Sequence, residues 1–173
     1  MKIRTLCMAL LFILVSAELA VAAEDEYKVK AAMIYNFARF VEWPTNAFGS
    51  DSRITYCIAG KSPLIDTMLH LQGKVMKERT VVVRHIESPT DISGCQLLFI
   101  AQSERDRLSS YLQQSNHHNI LTVSDLDLFA ESGGMIGFTE GEHKIRFEIN
   151  QEAAQKRGIK ISSHLLNLSR KVR

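Results

Sequence analysis

The chain has 173 residues, 46% of them apolar and 23% charged, which are globular proportions and exclude a disordered tail or a coiled coil. With 21 Lys+Arg against 19 Asp+Glu the net charge is +2, too weak an excess to argue for nucleic-acid binding. Nine Gly and three Pro leave no collagen-like or Pro-rich stretch, and the length suits one domain with its own core.

The first residues read as an export signal. Lys2 and Arg4 precede an unbroken apolar run over residues 6–15, and Ala20-Val21-Ala22-Ala23 then leads into acidic Glu24-Asp25-Glu26. This is the charged, apolar and small-residue order of a secretory signal peptide. The run is about half the roughly 20 residues that span a bilayer, so a membrane anchor is the weaker reading. Cleavage is expected after Ala22 or Ala23, leaving residues 24–173 as a single domain outside the cytoplasm. That remainder holds 19 basic and 18 acidic residues. It also keeps two of the three cysteines, Cys57 and Cys95. In an oxidising compartment two cysteines favour one disulfide. Two buried thiols or a Cys/His metal site are the alternatives, although the six His show no ligand spacing.

Val29, Met33, Phe37, Phe40 and Val41 recur at steps of three and four, which predicts a helix over residues 27–43 that Pro44 stops. Residues 54–59 alternate as a strand. Ser62-Pro63 then opens a short helix that Gly73 ends. Residues 80–86 form a second strand, and 96–101 a third whose continuous apolar run suits burial on both faces. Ser103 is expected to cap a polar helix through Leu112, with Asp106 as its reciprocal partner. A strand follows at 120–123, then a short helix at 125–131 closed by Gly133-Gly134. Strands 135–139 and 144–149 flank a hairpin turn, Glu140-Gly141-Glu142-His143. Asn150 caps a helix that Gly158 ends, 159–161 is a short strand, and Ser162 caps a last helix carrying Leu165, Leu166 and Leu168. Strand and helix alternate from residue 54 to about 130. The expected fold is an α/β, Rossmann-like sandwich around a mixed, mainly parallel sheet with a C-terminal β-hairpin.

Catalytic constellations are hard to find. Gly60-Lys61-Ser62 lies between strand and helix, but position 55 is Thr where a phosphate loop needs Gly. Gly133-Gly134-Met135-Ile136-Gly137 precedes a strand and lacks the dinucleotide order. No serine sits in a nucleophile elbow, and no H-E-x-x-H pair occurs. No residue set asks for an enzyme, a cofactor or a metal.

Several segments, taken in order, resemble the YfiR family of periplasmic regulators. They begin with the run from Lys30 to Pro44 containing Tyr35-Asn36-Phe37-Ala38-Arg39 and Trp43-Pro44, followed by Ile54-Thr55-Tyr56-Cys57-Ile58. Cys95-Gln96-Leu97-Leu98-Phe99-Ile100, Gly133-Gly134-Met135-Ile136-Gly137, Arg146-Phe147-Glu148-Ile149-Asn150 and the stretch from Gly158 to Leu166 continue the match. The resemblance implies a Rossmann-like sandwich without catalytic activity, located in the periplasm. It implies a protein that binds the periplasmic part of an inner-membrane diguanylate cyclase and represses it, lowering cyclic-di-GMP signalling and biofilm. A peptidoglycan-binding outer-membrane lipoprotein is the implied antagonist, and a homodimer is a further expected partner. It also implies a structural disulfide between Cys57 and Cys95. The sequence departs from the well-known member in lacking a second cysteine pair around residues 133–138, and in reading Tyr35-Asn36-Phe37. The candidate partner contacts are Tyr35, Asn36, Arg39, Trp43 and Pro44. Trp is favoured at interface hot spots, with core closure as the competing role for Trp43. The alternative function is a periplasmic small-ligand-binding or sensor module feeding a membrane histidine kinase or transporter.

Overall fold

The computed structural model describes residues 26–48, 52–141 and 144–173. The export signal, its cleavage site and the hairpin tip Glu142-His143 lie outside the described residues.

An eight-stranded sheet organises the chain. Its strands are β2 (Arg53–Ala59), β3 (Val75–Met76), β4 (Arg79–Ile86), β5 (Leu97–Ile100), β6 (Leu121–Ser124), β7 (Ile136–Gly141), β8 (Lys144–Ile149) and β10 (Lys171–Val172). Their spatial order is β10-β8-β7-β6-β5-β2-β4-β3. The run from β4 through β2, β5 and β6 to β7 is parallel, while β8 returns antiparallel to β7 as a hairpin. The expected mixed, mainly parallel sheet with its C-terminal hairpin is the observed one. A separate antiparallel pair joins β1 (Val41–Glu42) to β9 (Lys160–Ile161).

Alternation along the strands builds two cores. Ile54, Tyr56, Ile58, Leu97, Phe99, Leu121 and Val123 face one side. There they meet α1 (residues 26–37), α2 (Leu64–Leu69), α4 (Gln151–Gln155) and α5 (Ser163–Leu168) through Ile34, Phe37, Met68, Ala154 and Leu165. Cys57, Ala59, Leu98 and Ile100 face the other, against Tyr111 and Leu112 of α3 (Leu108–Ser115) and against Ile92 and Phe129. β5 is buried at every position because both faces are covered. Each fully buried Leu, Ile or Phe contributes roughly 1.5–3 kcal/mol of transfer free energy. Asn150 and Ser162 cap α4 and α5 by accepting from Ala153 N–H (2.9 Å) and Leu165 N–H (3.3 Å).

Three expectations fail locally. α1 ends at residue 37, well short of Pro44. A short 3₁₀ turn follows at Ala38–Phe40, and Val41–Glu42 then pair with β9. The apolar spacing runs on through Phe40 and Val41 because both still face the core, so the sequence does not register the change of partner. Ser103 caps no helix, since its hydroxyl accepts from Lys61 N–H at 2.8 Å. Residues Gln102–Arg107 form a 3₁₀ segment, and α3 starts only at Leu108. Residues 125–131 are turns, with Leu128 at φ +58°. There the Ser124 hydroxyl accepts from Leu126 N–H at 3.0 Å and folds the chain into a tight link between neighbouring parallel strands.

Candidate functional site

In a doubly wound sheet, ligands bind outside the carboxyl ends of the strands where the strand order reverses. That point lies here between β2 and β5. It is packed shut. Gly60 leaves β2 at φ +84°, and a Cβ built on it would fall 2.5 Å from Ser103 Oγ and 2.6 Å from Glu104 Cγ. Ser103 is fixed by Lys61 N–H, and the Glu104 carboxylate is held by Arg107 Nε at 3.2 Å. The Arg107 Nη2 group also donates to the Tyr111 hydroxyl at 3.0 Å. Burial, aided by the Glu104 charge, pushes the Tyr111 phenol up to about 12. The Gly60-Lys61-Ser62 turn is therefore filled by the protein's own side chains.

Beneath this crevice a disulfide joins Cys57 of β2 to Cys95 just before β5, with Cα atoms 5.8 Å apart. Arg84 of β4 lies over it. Its Nη2 donates to the carbonyls of Asp91 (2.8 Å) and Ser93 (2.7 Å) and sits 3.1 Å from Cys95 Sγ. One guanidinium thus holds the 89–95 loop down against the bridge.

The candidate contact residues divide into two groups. Tyr35 is a fastener of α1, donating from its hydroxyl to Val75 O at 3.3 Å while its carbonyl accepts from Tyr56 O–H at 3.4 Å. Asn36 donates to Ala32 O at 2.8 Å, within its own helix. Arg39, Trp43 and Pro44 instead gather on a shoulder where residues 38–48 meet 158–164. Arg39 is exposed and has no polar partner among the described residues. Trp43 is half-buried, edge-on to Phe48 at 5.6 Å, and its indole N–H is shielded from solvent without an acceptor. The indole therefore both closes the core and fronts the surface. Pro44 packs on the Gly158 backbone and opens the 3₁₀ turn Thr45–Ala47.

The shoulder also contains residues that spacing did not single out. Arg79 stacks its guanidinium 3.8 Å above the Phe48 ring, and His164 lies 5.0 Å from Phe40, ring to ring. Gln96 sets the shoulder's height on the sheet, since its amide donates to Ala47 O (3.0 Å) and accepts from Thr55 N–H (2.8 Å). Lys77 donates to Val41 O at 3.1 Å. A buried polar residue directly after Cys95 was the available signal for Gln96, whereas Phe48 and Arg79 carried none.

Among the described residues no three His, Cys, Asp or Glu side chains gather to hold a metal ion, and no helix is long and apolar enough to cross a membrane. No curated protein matches the sequence. Two solved structures share the fold. One is a conserved domain protein from Vibrio cholerae, at TM-score 0.59 and 9% identity, matched over 85% of this chain and 60% of that one. The other is an ABC domain from Streptococcus pneumonia in complex with L-Trp, at TM-score 0.52 and 11% identity, matched over 69% of this chain and 55% of that one. The chain thus spans little more than half of either, and at these identities the likeness is one of fold alone. Residues 27–170, from the start of α1 to the approach of β10, match the YfiR/HmsC-like family, so the chain belongs to that family.

Proposed function

We propose that this protein is a periplasmic, non-catalytic regulator that binds the periplasmic part of an inner-membrane diguanylate cyclase and holds it inactive. The observation carrying this reading is the contrast within one fold between a filled crevice and an unfilled shoulder. Ser103 and Glu104 occupy the place where this architecture ordinarily takes a small molecule. Arg39, Trp43 and Pro44 meanwhile present a cation, a large aromatic and a rigid turn, types suited to a protein interface. Family membership supports a regulator over an enzyme. The small-ligand sensor feeding a kinase or transporter is the second reading, and the filled crevice counts against it at that place.

The test uses the mature chain as bait on detergent-solubilised inner membranes, with partners identified by mass spectrometry. A cyclase with a periplasmic segment is expected with the wild type and lost with Arg39→Glu. That exposed substitution should leave stability within about 0.5 kcal/mol. Overproduction should lower cyclic-di-GMP. Unchanged cyclic-di-GMP on both deletion and overproduction overturns the reading.

A further inference from the structure

The outer edge of β4 is open over its second half. Along a strand, alternate residues turn their N–H and C=O groups to one side or the other. Thr80 N–H goes to Ser52 O at 2.9 Å, so the even positions face β2 while Arg79, Val81, Val83 and His85 face outward. The hairpin to β3 covers Arg79, and Val81 is closed by Lys74 O and Gly73 N–H, at 2.8 and 2.9 Å. Val83 N–H is met only by a side chain, Gln72 Oε1 at 2.8 Å, in an exposed hydrogen bond. Val83 C=O and both backbone groups of His85 have no partner among the described residues.

Sheet edges are usually guarded by a proline, a bulge or long charged side chains that overhang them. Residues 81–86 hold no proline and pair with β2 in unbroken register. Their two long polar side chains are both drawn back from the edge. Arg84 reaches over β2 to the carbonyls of Asp91 and Ser93 and to the bridge. His85 donates from Nε2 to Gly60 O at 2.9 Å, just past the end of β2. The Arg84 charge stays uncompensated, since its partners among the described residues are carbonyls and sulfur. On the opposite face Val83 is half-buried. Leu69, three residues before Gln72 and on the same side of that turn, is 49% exposed.

We propose that this edge receives an extended segment of a partner protein by strand addition, with an acidic residue opposite Arg84 and an apolar residue on either side of it. In antiparallel pairing the residues opposite Val83 and His85 exchange both hydrogen bonds with them, the first displacing Gln72. The residue between them has its side chain on the face of Arg84 and supplies the missing carboxylate. Its two neighbours turn theirs to the face of Val83 and Leu69. A second copy of this chain does not fit. The register that uses Val83 and His85 of both copies sets Arg84 against Arg84, and like charges directly opposite destabilise a pair. A shifted register calls on Val81, which is closed, or on Glu87, whose carbonyl already accepts from Arg107 Nη2.

The probe is the peptide acetyl-Thr-Val-Asp-Val-Thr-amide, titrated into the ¹⁵N-labelled mature chain and followed by NMR. Saturable shifts are expected at the backbone amides of Val83 and His85 and at the side-chain amide of Gln72, with slowed hydrogen exchange at His85. N-methylation of both peptide valines removes the donors that face the edge and should weaken binding about tenfold or more. N-methylation of the aspartate, whose N–H faces away, should leave it within about twofold. Lysine in place of the peptide aspartate should weaken it several-fold. His85→Pro deletes an outward N–H without touching the ladder to β2, so it should fold and lose the peptide. Absence of saturable shifts, shifts away from this edge, equal binding of the two methylated peptides, or unchanged binding by folded His85→Pro overturns the proposal. Tighter binding of the lysine peptide overturns the acidic partner, and dimerisation through Val83 and His85 overturns the choice against a second copy. The methylated peptides need no variant to fold. No cyclase enters these measurements, so their outcome is separate from that of the regulator reading.

Discussion

The crevice between β2 and β5 and the shoulder beside β1 and β9 differ in how the chain spends its polar groups. In the crevice, Ser103 accepts from Lys61 N–H, Glu104 is ion-paired to Arg107 although its buried Oε2 has no hydrogen-bond donor, and a disulfide ties the two flanking segments below them. On the shoulder, Arg39 has no described partner and the Trp43 indole N–H has no acceptor. An unmatched buried donor costs about 1–3 kcal/mol, a cost that falls on the Trp43 N–H and not on exposed Arg39, which water serves. The contrast teaches that the carboxyl edge of the sheet is closed by the chain's own side chains, while the shoulder, where the partner is proposed to bind, keeps an exposed cation and a partly exposed indole.

The largest effect is expected from cutting the tie below the crevice. The bridge closes a loop of sequence separation 38, and a chain-entropy estimate for its removal is about 4 kcal/mol. Replacing Cys57 and Cys95 together by Ser should lower the melting temperature by roughly 10 °C. An unchanged melt would mean that the crevice is held closed by packing alone.

A smaller loss should follow Gly60→Ala. The left-handed backbone at φ +84° costs a side chain about 1–2 kcal/mol, and overlap with Ser103 and Glu104 adds about 1–3 kcal/mol. Adding Ser103→Ala should recover part of that loss. If Gly60→Ala melts with the wild type, the crevice has room and the comparison with the shoulder collapses.

The smallest effect concerns the other end of the same edge, after β6. Asp125 pairs with Lys30 of α1 at 3.5 Å, and Lys30 also meets Glu26 at 2.7 Å. Burial lifts the Asp125 carboxyl above its ordinary 3.8, against the opposing pull of Lys30. With the folded value above the unfolded one, the stability it contributes is present below the unfolded pKa and is lost as pH rises through the folded one. Asp125→Asn should therefore melt above the wild type at neutral pH, with the gain vanishing as pH falls toward about 4. A pH-independent difference would mean that the charge of Asp125 does not set its contribution.

Much of this was legible in the residues. The buried parallel strands announced themselves through runs such as Leu97–Ile100, and the caps through Asn150 and Ser162. What escaped depended on contacts far apart in sequence. Val41 keeps its helical spacing whether it continues α1 or pairs with Ile161, so periodicity could not choose. β3 and β10 are two-residue edges, and β3 is reached through Lys77 and Glu78 at φ 45° and 66°, in a turn with none of the usual Gly or Asn. Of the candidate contacts, Trp43-Pro44 could be chosen because a lone Trp before a Pro stands out. Tyr35 and Asn36 could not be told from helix fasteners until Val75 and Ala32 were seen to receive their hydrogen bonds.

Trp43 is the only tryptophan in the chain, and it stands edge-on to Phe48 at the shoulder. Light absorbed at the red end of the aromatic band is therefore emitted from that one spot. Its partly exposed ring makes the emission colour sensitive to whatever dries that surface. The protein carries its own optical probe where a partner is proposed to land, and docking can be followed in real time without attaching a label.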